Sequence, residues 1–271
     1  MKKWMGQGWN ITVRHKYVWV LLFIYRFLWG FFLFRLVDSV VTPVLLRYPD
    51  LHPNADAVPL FLIEAEFRLL RTDLVDDLLW LLTGLLLVRM VLTPLLNAGV
   101  YYSFHHTSGE GGTHVWSGIR NAWKPVTLLY WLENALALLP AVWLLPMAKD
   151  RLMSAVSPVH WLQELLLYAV GWLVYGFVLH VLFQSMQFGA VTREGWAKGA
   201  LRAYFRALPL VTVSLVMIGI GFAASAAVTA VSLVWSGLAA VIVHQAFQFV
   251  RALLSLWTAA AQFSVWRETE S

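Results

Sequence analysis

Long apolar stretches alternate along this chain with short, polar, tryptophan-bearing segments. The clearest case runs from Arg206 to Arg251, with no Asp, Glu, Lys or Arg between them. As one helix those 44 residues would rise ~66 Å at ~1.5 Å each. That is about twice the ~30 Å hydrocarbon thickness of a bilayer, so the segment must fold back, with a turn near Trp235-Ser236-Gly237. The same reasoning predicts six helical spans: Tyr17–Val41, Leu78–Val100, Val126–Met147, His160–Phe188, Pro209–Trp235 and Gly237–Trp266.

Each odd-numbered span follows a basic, Trp-bearing segment, at about residues 4–16, 114–125 and 193–208. The first contains Gly8-Trp9-Asn10-Ile11-Thr12-Val13-Arg14. The second contains Trp116-Ser117-Gly118-Ile119-Arg120-Asn121-Ala122-Trp123-Lys124-Pro125. The third contains Gly195-Trp196-Ala197-Lys198-Gly199-Ala200-Leu201-Arg202-Ala203-Tyr204-Phe205. Trp, Lys and Arg in this mixture predict amphipathic helices lying in the membrane interface. The expected fold is all-α: a single integral-membrane domain over residues 1–271, built as three two-span hairpins, each preceded by an interfacial helix.

The last stretch carries polar residues at His244, Gln248, Arg251, Ser255, Thr258 and Gln262. Their 4-3-4-3-4 spacing places all six on one helix face. Polar groups inside a span are costly unless they meet others, and Arg most of all. The stripe therefore predicts one wall of a polar interior.

Composition agrees. The chain is 60% hydrophobic and 13% charged, against ~45–50% and ~25% in soluble domains. It has no cysteine, which excludes disulfides and thiolate chemistry. No small-residue cleavage site follows Lys2 and Lys3, so no removed signal peptide is expected. With the N-terminus cytoplasmic, the inner segments hold 11 Lys and Arg and the outer ones five. That bias predicts both termini inside, in the inner (plasma) membrane.

The order of basic elbow helix and hairpin, with the third elbow running from Gly195 to Phe205, resembles a broad group of bacterial six-span membrane proteins. That group includes the membrane domain fused to some glycerophosphodiester phosphodiesterases. The resemblance implies a helical membrane module and no catalytic residue. No soluble phosphodiesterase domain is present, so that activity is not implied.

Several polar groups fall within the spans. Arg26, Glu133, Asn134 and Arg251 fall at similar depth in the inner half, and Arg89 near the middle of span two. Arg35, Asp38 and Glu164 form an outer layer. His180, Gln184 and Gln187 make a shorter 4-3 stripe at the inner end of span four. An excess of Arg over Glu in the inner layer is satisfied either within the protein or by an anionic lipid or phosphate, since Arg matches phosphate oxygens bidentately. A proton or ion relay is a third reading. In span five, Gly219, Ala223 and Ala227 repeat every four residues, as do Gly221, Ser225 and Thr229, which predicts close helix packing.

Other motifs carry less chemistry. The outer insertion at about 47–77 mixes acidic and apolar residues and reads as an amphipathic helix with Glu64 and Arg68 paired. Its Asp73, Asp76 and Asp77 read as a solvated acidic face. The loop His105–His114 has three His and one Glu, but at no standard zinc spacing. No phosphate loop and no hydrolase motif occurs. No catalytic residue, metal or cofactor is expected, and no nucleic-acid partner. The function expected is non-enzymatic: a transport-like or lipid-interacting module with an Arg-lined cavity open toward the inner leaflet. The competing classes are an accessory or scaffold subunit and a lipid-modifying intramembrane enzyme. The partners expected are membrane lipids, with another membrane subunit or a second copy of the chain left open.

Overall fold

The structure is a computed structural model that describes residues 1–45, 74–106, 113–154, 158–234 and 238–268. Among the described residues every regular element is helical and no strand occurs. In chain order they are α1 (Lys2–Arg14), α2 (Lys16–Leu45), α3 (Leu74–His105), α4 (Thr113–Leu138), α5 (Ala141–Ser154), α6 (Pro158–Val191), α7 (Trp196–Phe205), α8 (Ala207–Val234) and α9 (Leu238–Arg267). Among the described residues, five stretches are long and apolar enough to cross a membrane: Lys16–Ser39, Leu79–His105, His114–Lys149, Leu165–Val191 and Ala207–Ser232. They support a multi-pass membrane protein.

The sixth expected span is α9, a helix of 30 residues. Among the described residues it is not one of these five stretches, and the side chains of most of its apolar first turns lie outside the described residues. The described residues thus give five such stretches where six spans are expected. The turn expected at 235–237 lies outside the described residues, as does most of the outer insertion and of the His-rich loop.

Two prolines refine the expected spans. The second amphipathic segment is not a separate helix: α4 runs from Thr113 through Pro125 to Leu138 without a break. Span three, expected as one helix, instead breaks at Leu139-Pro140 and resumes as α5. Pro140 has no N–H to give the carbonyl four residues earlier. That carbonyl, of Leu136, accepts the Tyr175 hydroxyl at 3.1 Å, and the neighbouring Ala137 carbonyl accepts the Trp172 indole N–H at 2.7 Å. Side chains of α6 thus add partners to carbonyls at the break, where the Leu136 carbonyl also accepts the Leu139 N–H at 3.2 Å, as non-helical backbone in a bilayer requires.

The chain divides into two compact units, Met1–Val20 with Thr93–Ser271, and Leu21–Leu92. In the smaller unit aromatic rings line α2, with Phe23 and Phe27 5.9 Å apart. The larger unit is packed most tightly where the C-terminal ends of α3, α6 and α9 meet. Phe188 stands edge-on to Tyr101 at 4.9 Å and to Phe263 at 5.3 Å. Phe263 stacks on Trp266 at 5.8 Å and lies 5.9 Å from Phe104. These separations are those at which ring pairs attract. Trp266, Phe104, Phe188 and Phe263 are among the largest fully buried side chains.

The three amphipathic segments pack around this aromatic hub, each through a glycine. A Cβ on Gly8 of α1 would lie 2.6 Å from the backbone nitrogen of Ala261 on α9. One on Gly118 of α4 would collide with Tyr102 and lie 3.0 Å from the Ala98 carbonyl, both on α3. One on Gly199 of α7 would lie 2.5 Å from the Ser185 carbonyl on α6. Each segment therefore crosses the end of one long helix at backbone contact, which only a residue without a side chain permits. The threefold pattern read from the Trp and basic residues has this packing beneath it. We call the assembly of hub and segments the collar.

Candidate functional site

Two polar features stand at or near the collar, both in the larger unit. The first is a cluster in the apolar lengths of three helices. Glu133 of α4 accepts a hydrogen bond at 2.7 Å from, or forms an ion pair with, Nδ1 of His180 on α6. The Gln187 amide donates to its other oxygen at 3.4 Å. Tyr101 of α3 shares a hydrogen bond with Gln184 of α6. His180, Gln184 and Gln187 stand at 4-3 spacing on one face, so α6 presents all three toward α3 and α4. The Glu133 side chain is 13% exposed and that of His180 57%, so the pair has one buried and one open member. Gln184 and Gln187 are buried, and Gln187 Oε1 meets no donor among the described residues.

The second feature is a cleft of about 630 Å³ between α1 and α9. On the α1 side its wall includes Lys3, Gln7, Asn10 and Arg14. Their 4-3-4 spacing is one face of a helix. The opposite side of α1 carries Gly8 and Thr12, both buried against the bundle. Across the cleft, α9 and the turn after it contribute Ser264, Arg267 and Glu268. Glu268 accepts from Lys3 Nζ at 2.6 Å, from the Trp4 indole N–H, and from Arg206 Nη1 at 3.4 Å. Arg206 also donates to the Val265 carbonyl at 3.3 Å. The Lys3 and Trp4 hydrogen bonds hold the Glu268 carboxyl below the ordinary carboxylate value. Nearby, Arg202 of α7 pairs with Glu194 at 2.7 Å and lies over the Trp266 ring at 4.7 Å.

The residues expected to act together fall in both units. Arg26 and Arg89 belong to the smaller unit and Arg251 to the larger. Arg89 is exposed, with its guanidinium 5.4 Å from the Trp29 ring. Arg251 is exposed, Arg26 is half-buried, and none of the three is without a partner. Asn134 donates to the Tyr130 carbonyl one turn earlier at 2.7 Å. The α9 stripe grades in burial. Gln248, Ser255 and Thr258 are half-buried, and Thr258 donates to the Leu254 carbonyl at 2.7 Å. Gln262 is buried and donates to Ser214 Oγ of α8 at 2.7 Å. The side chains of His244 and Glu164 lie outside the described residues.

Sequence reasoning placed Glu133 in an arginine layer and the α6 stripe apart from it, whereas the structure brings them together. It missed Lys3, Gln7, Asn10 and Arg14 as a set. The signal was the same 4-3-4 spacing that drew attention to α9. Among the described residues no group of His, Asp and Glu is arranged to hold a metal ion.

The class these features define is a helical, multi-pass membrane protein with a packed polar and aromatic collar. No family model, no curated protein and no solved structure matches the chain.

Proposed function

We infer that the chain is a six-span protein of the inner (plasma) membrane with both termini cytoplasmic. It acts as a non-enzymatic, lipid-interacting or transport-like module whose polar face opens to the inner leaflet. The collar carries this reading. It gathers three basic amphipathic segments at one set of helix ends, and they leave Trp9, Trp116, Trp123, Trp196, Tyr204 and Phe205 exposed. Amphipathic aromatic rings beside Lys and Arg suit the headgroup level of a bilayer. Anionic lipids of the cytoplasmic leaflet attract such basic segments by about 1 kcal/mol per Lys or Arg.

The chain has no cysteine, so single-cysteine variants report topology directly. Gly6→Cys and Lys198→Cys should react with a membrane-impermeant maleimide only after permeabilisation. Asp56→Cys and Ser236→Cys should react in intact cells. Protection of Ser236→Cys in intact cells would overturn the six-span arrangement. Labelling of Gly6→Cys from outside would invert the orientation.

A second reading, an intramembrane enzyme acting on lipid, is favoured by one observation. Glu133 and His180 meet at 2.7 Å, the reach that acid–base catalysis needs. Under the leading reading this pair and Gln187 instead line the polar face within the span.

A further inference from the structure

The cleft between α1 and α9 combines a volume of about 630 Å³ with three cationic side chains, Lys3, Arg14 and Arg267, and one carboxylate, Glu268. Arg14 and Arg267 are exposed. Asn10 and Ser264 add neutral polar groups from the two walls; the exposed Asn10 amide can donate hydrogen bonds, whereas the buried Ser264 hydroxyl already donates to the Ala260 carbonyl at 2.9 Å. Among the described residues, the charge lining the cleft is thus predominantly positive. Guanidinium groups present paired N–H donors that match the oxygens of a phosphate, and an ammonium adds a point charge. A carboxylate in the same cleft opposes an incoming anion unless it is already engaged. Glu268 is engaged, by Lys3, Trp4 and Arg206.

We propose that this cleft binds a phosphate-bearing anion, and that Glu268 is its internal competitor, holding Lys3 until the anion takes its place. The proposal rests on the lipid-interacting reading above and names the ligand chemistry and its control. Arg14 and Arg267 supply the first contact. Lys3, 67% exposed along its side chain, swings from Glu268 to the phosphate. Arg206 and Trp4 keep Glu268 in place after Lys3 leaves. The anion is either the headgroup of a membrane lipid or a soluble phosphate, and the two share the same donors.

The test uses the whole protein in detergent. Binding of phosphatidylglycerol and of phosphatidylcholine is measured by native mass spectrometry, and binding of inorganic phosphate by equilibrium dialysis. Phosphatidylglycerol should bind more tightly than phosphatidylcholine. The double variant Arg14→Gln with Arg267→Gln should weaken phosphatidylglycerol by about tenfold or more, the scale of charge-assisted hydrogen bonds. Asn10→Asp, which adds a carboxylate to the cleft on the exposed face of α1, should weaken it too. Glu268→Gln should tighten it several-fold, by releasing Lys3. Thermal unfolding of each variant checks that the fold is kept.

Unchanged binding of both phosphatidylglycerol and inorganic phosphate in the double variant and in Asn10→Asp would overturn the site. Weaker or equal binding in a folded Glu268→Gln protein would overturn the competitor. If inorganic phosphate alone shows the same pattern and the lipid does not, the site stands and its source is soluble. These measurements do not depend on which way the protein faces, so they fail separately from the topology experiment.

Discussion

Gly199 and Gly219 belong to neighbouring helices, and each is a small residue in a helical repeat of small residues. At Gly199 an added Cβ would meet the backbone of α6 at 2.5 Å, whereas at Gly219 and Gly221 it would meet nothing within 4 Å. Within the larger unit the crowding is confined to the collar, although the collar also holds Gly6 and Gly195, where a Cβ would meet nothing. Crowded glycines, Gly8, Gly99, Gly118, Gly189 and Gly199, all lie at the collar, while Gly171 and Gly176, midway along α6, stand open. Burial follows the same division, for only 6% to 22% of each span's most apolar stretch is buried. A span in lipid gains nothing from burying apolar area against another span, because the tails are as apolar as Leu. Cohesion comes instead from close backbone contact, ring packing and hydrogen bonds, and those are concentrated at the collar.

The comparison can be broken most directly at its crowded side. Gly199→Val should destabilise the protein by about 1–3 kcal/mol or more, the cost of forcing atoms into a filled contact. Thermal unfolding in detergent measures it. Unchanged stability would show that α7 does not depend on that crossing.

A smaller effect is expected at the ion cluster that fastens α1 to the end of α9. The Glu268 carboxyl is held below its ordinary value of 4.5 by Lys3 first and Trp4 next. A depressed carboxyl contributes stability that is fully present above its unfolded value and is lost as pH falls through the lower folded value. Unfolding curves for the native protein should therefore decline below about pH 4.5 more than those of Glu268→Gln. Parallel curves would remove the cluster from the account.

The smallest effect is expected at the open side. Gly219→Ala and Gly221→Ala should change stability by no more than about 0.5–1 kcal/mol, in the stabilising direction, since Ala suits a helix interior better. A large loss would mean that α8 meets a neighbour there in the membrane.

How much of this was legible depends on the kind of signal. Helix type and approximate span positions follow from apolar length alone, as α2, α6 and α8 show. The three collar segments were legible as basic, Trp-bearing helical stretches, though the second is the start of α4 and not a helix of its own. What the collar glycines touch was not legible, because Gly199 and Gly219 look alike until a second backbone crosses one of them. The prolines carry a similar lesson. Pro125 is absorbed in α4 while Pro140 ends it, and at Pro140 it is Tyr175 and Trp172 of α6 that partner nearby carbonyls. The Glu133 cluster was half legible. Depth estimates put its members near the right level, but only helix rotation decides that Glu133 turns to His180 and Gln187. The cleft face of α1 was fully legible in its 4-3-4 spacing and was obscured by the louder pattern of tryptophans beside it.

The pairing of α1 with α9 also bears on the order of assembly. Lys3 and Glu268 stand 265 positions apart. At ~5–20 residues per second, α1 waits roughly 15–50 s on the ribosome's schedule before its partner helix exists. During that time the face of α1 that carries Gly8 has no helix to lie against. An amphipathic segment able to rest on a bilayer surface tolerates such a delay better than one that must be buried at once. The backbone of α9 that meets Gly8 is therefore among the last parts of the chain to be made.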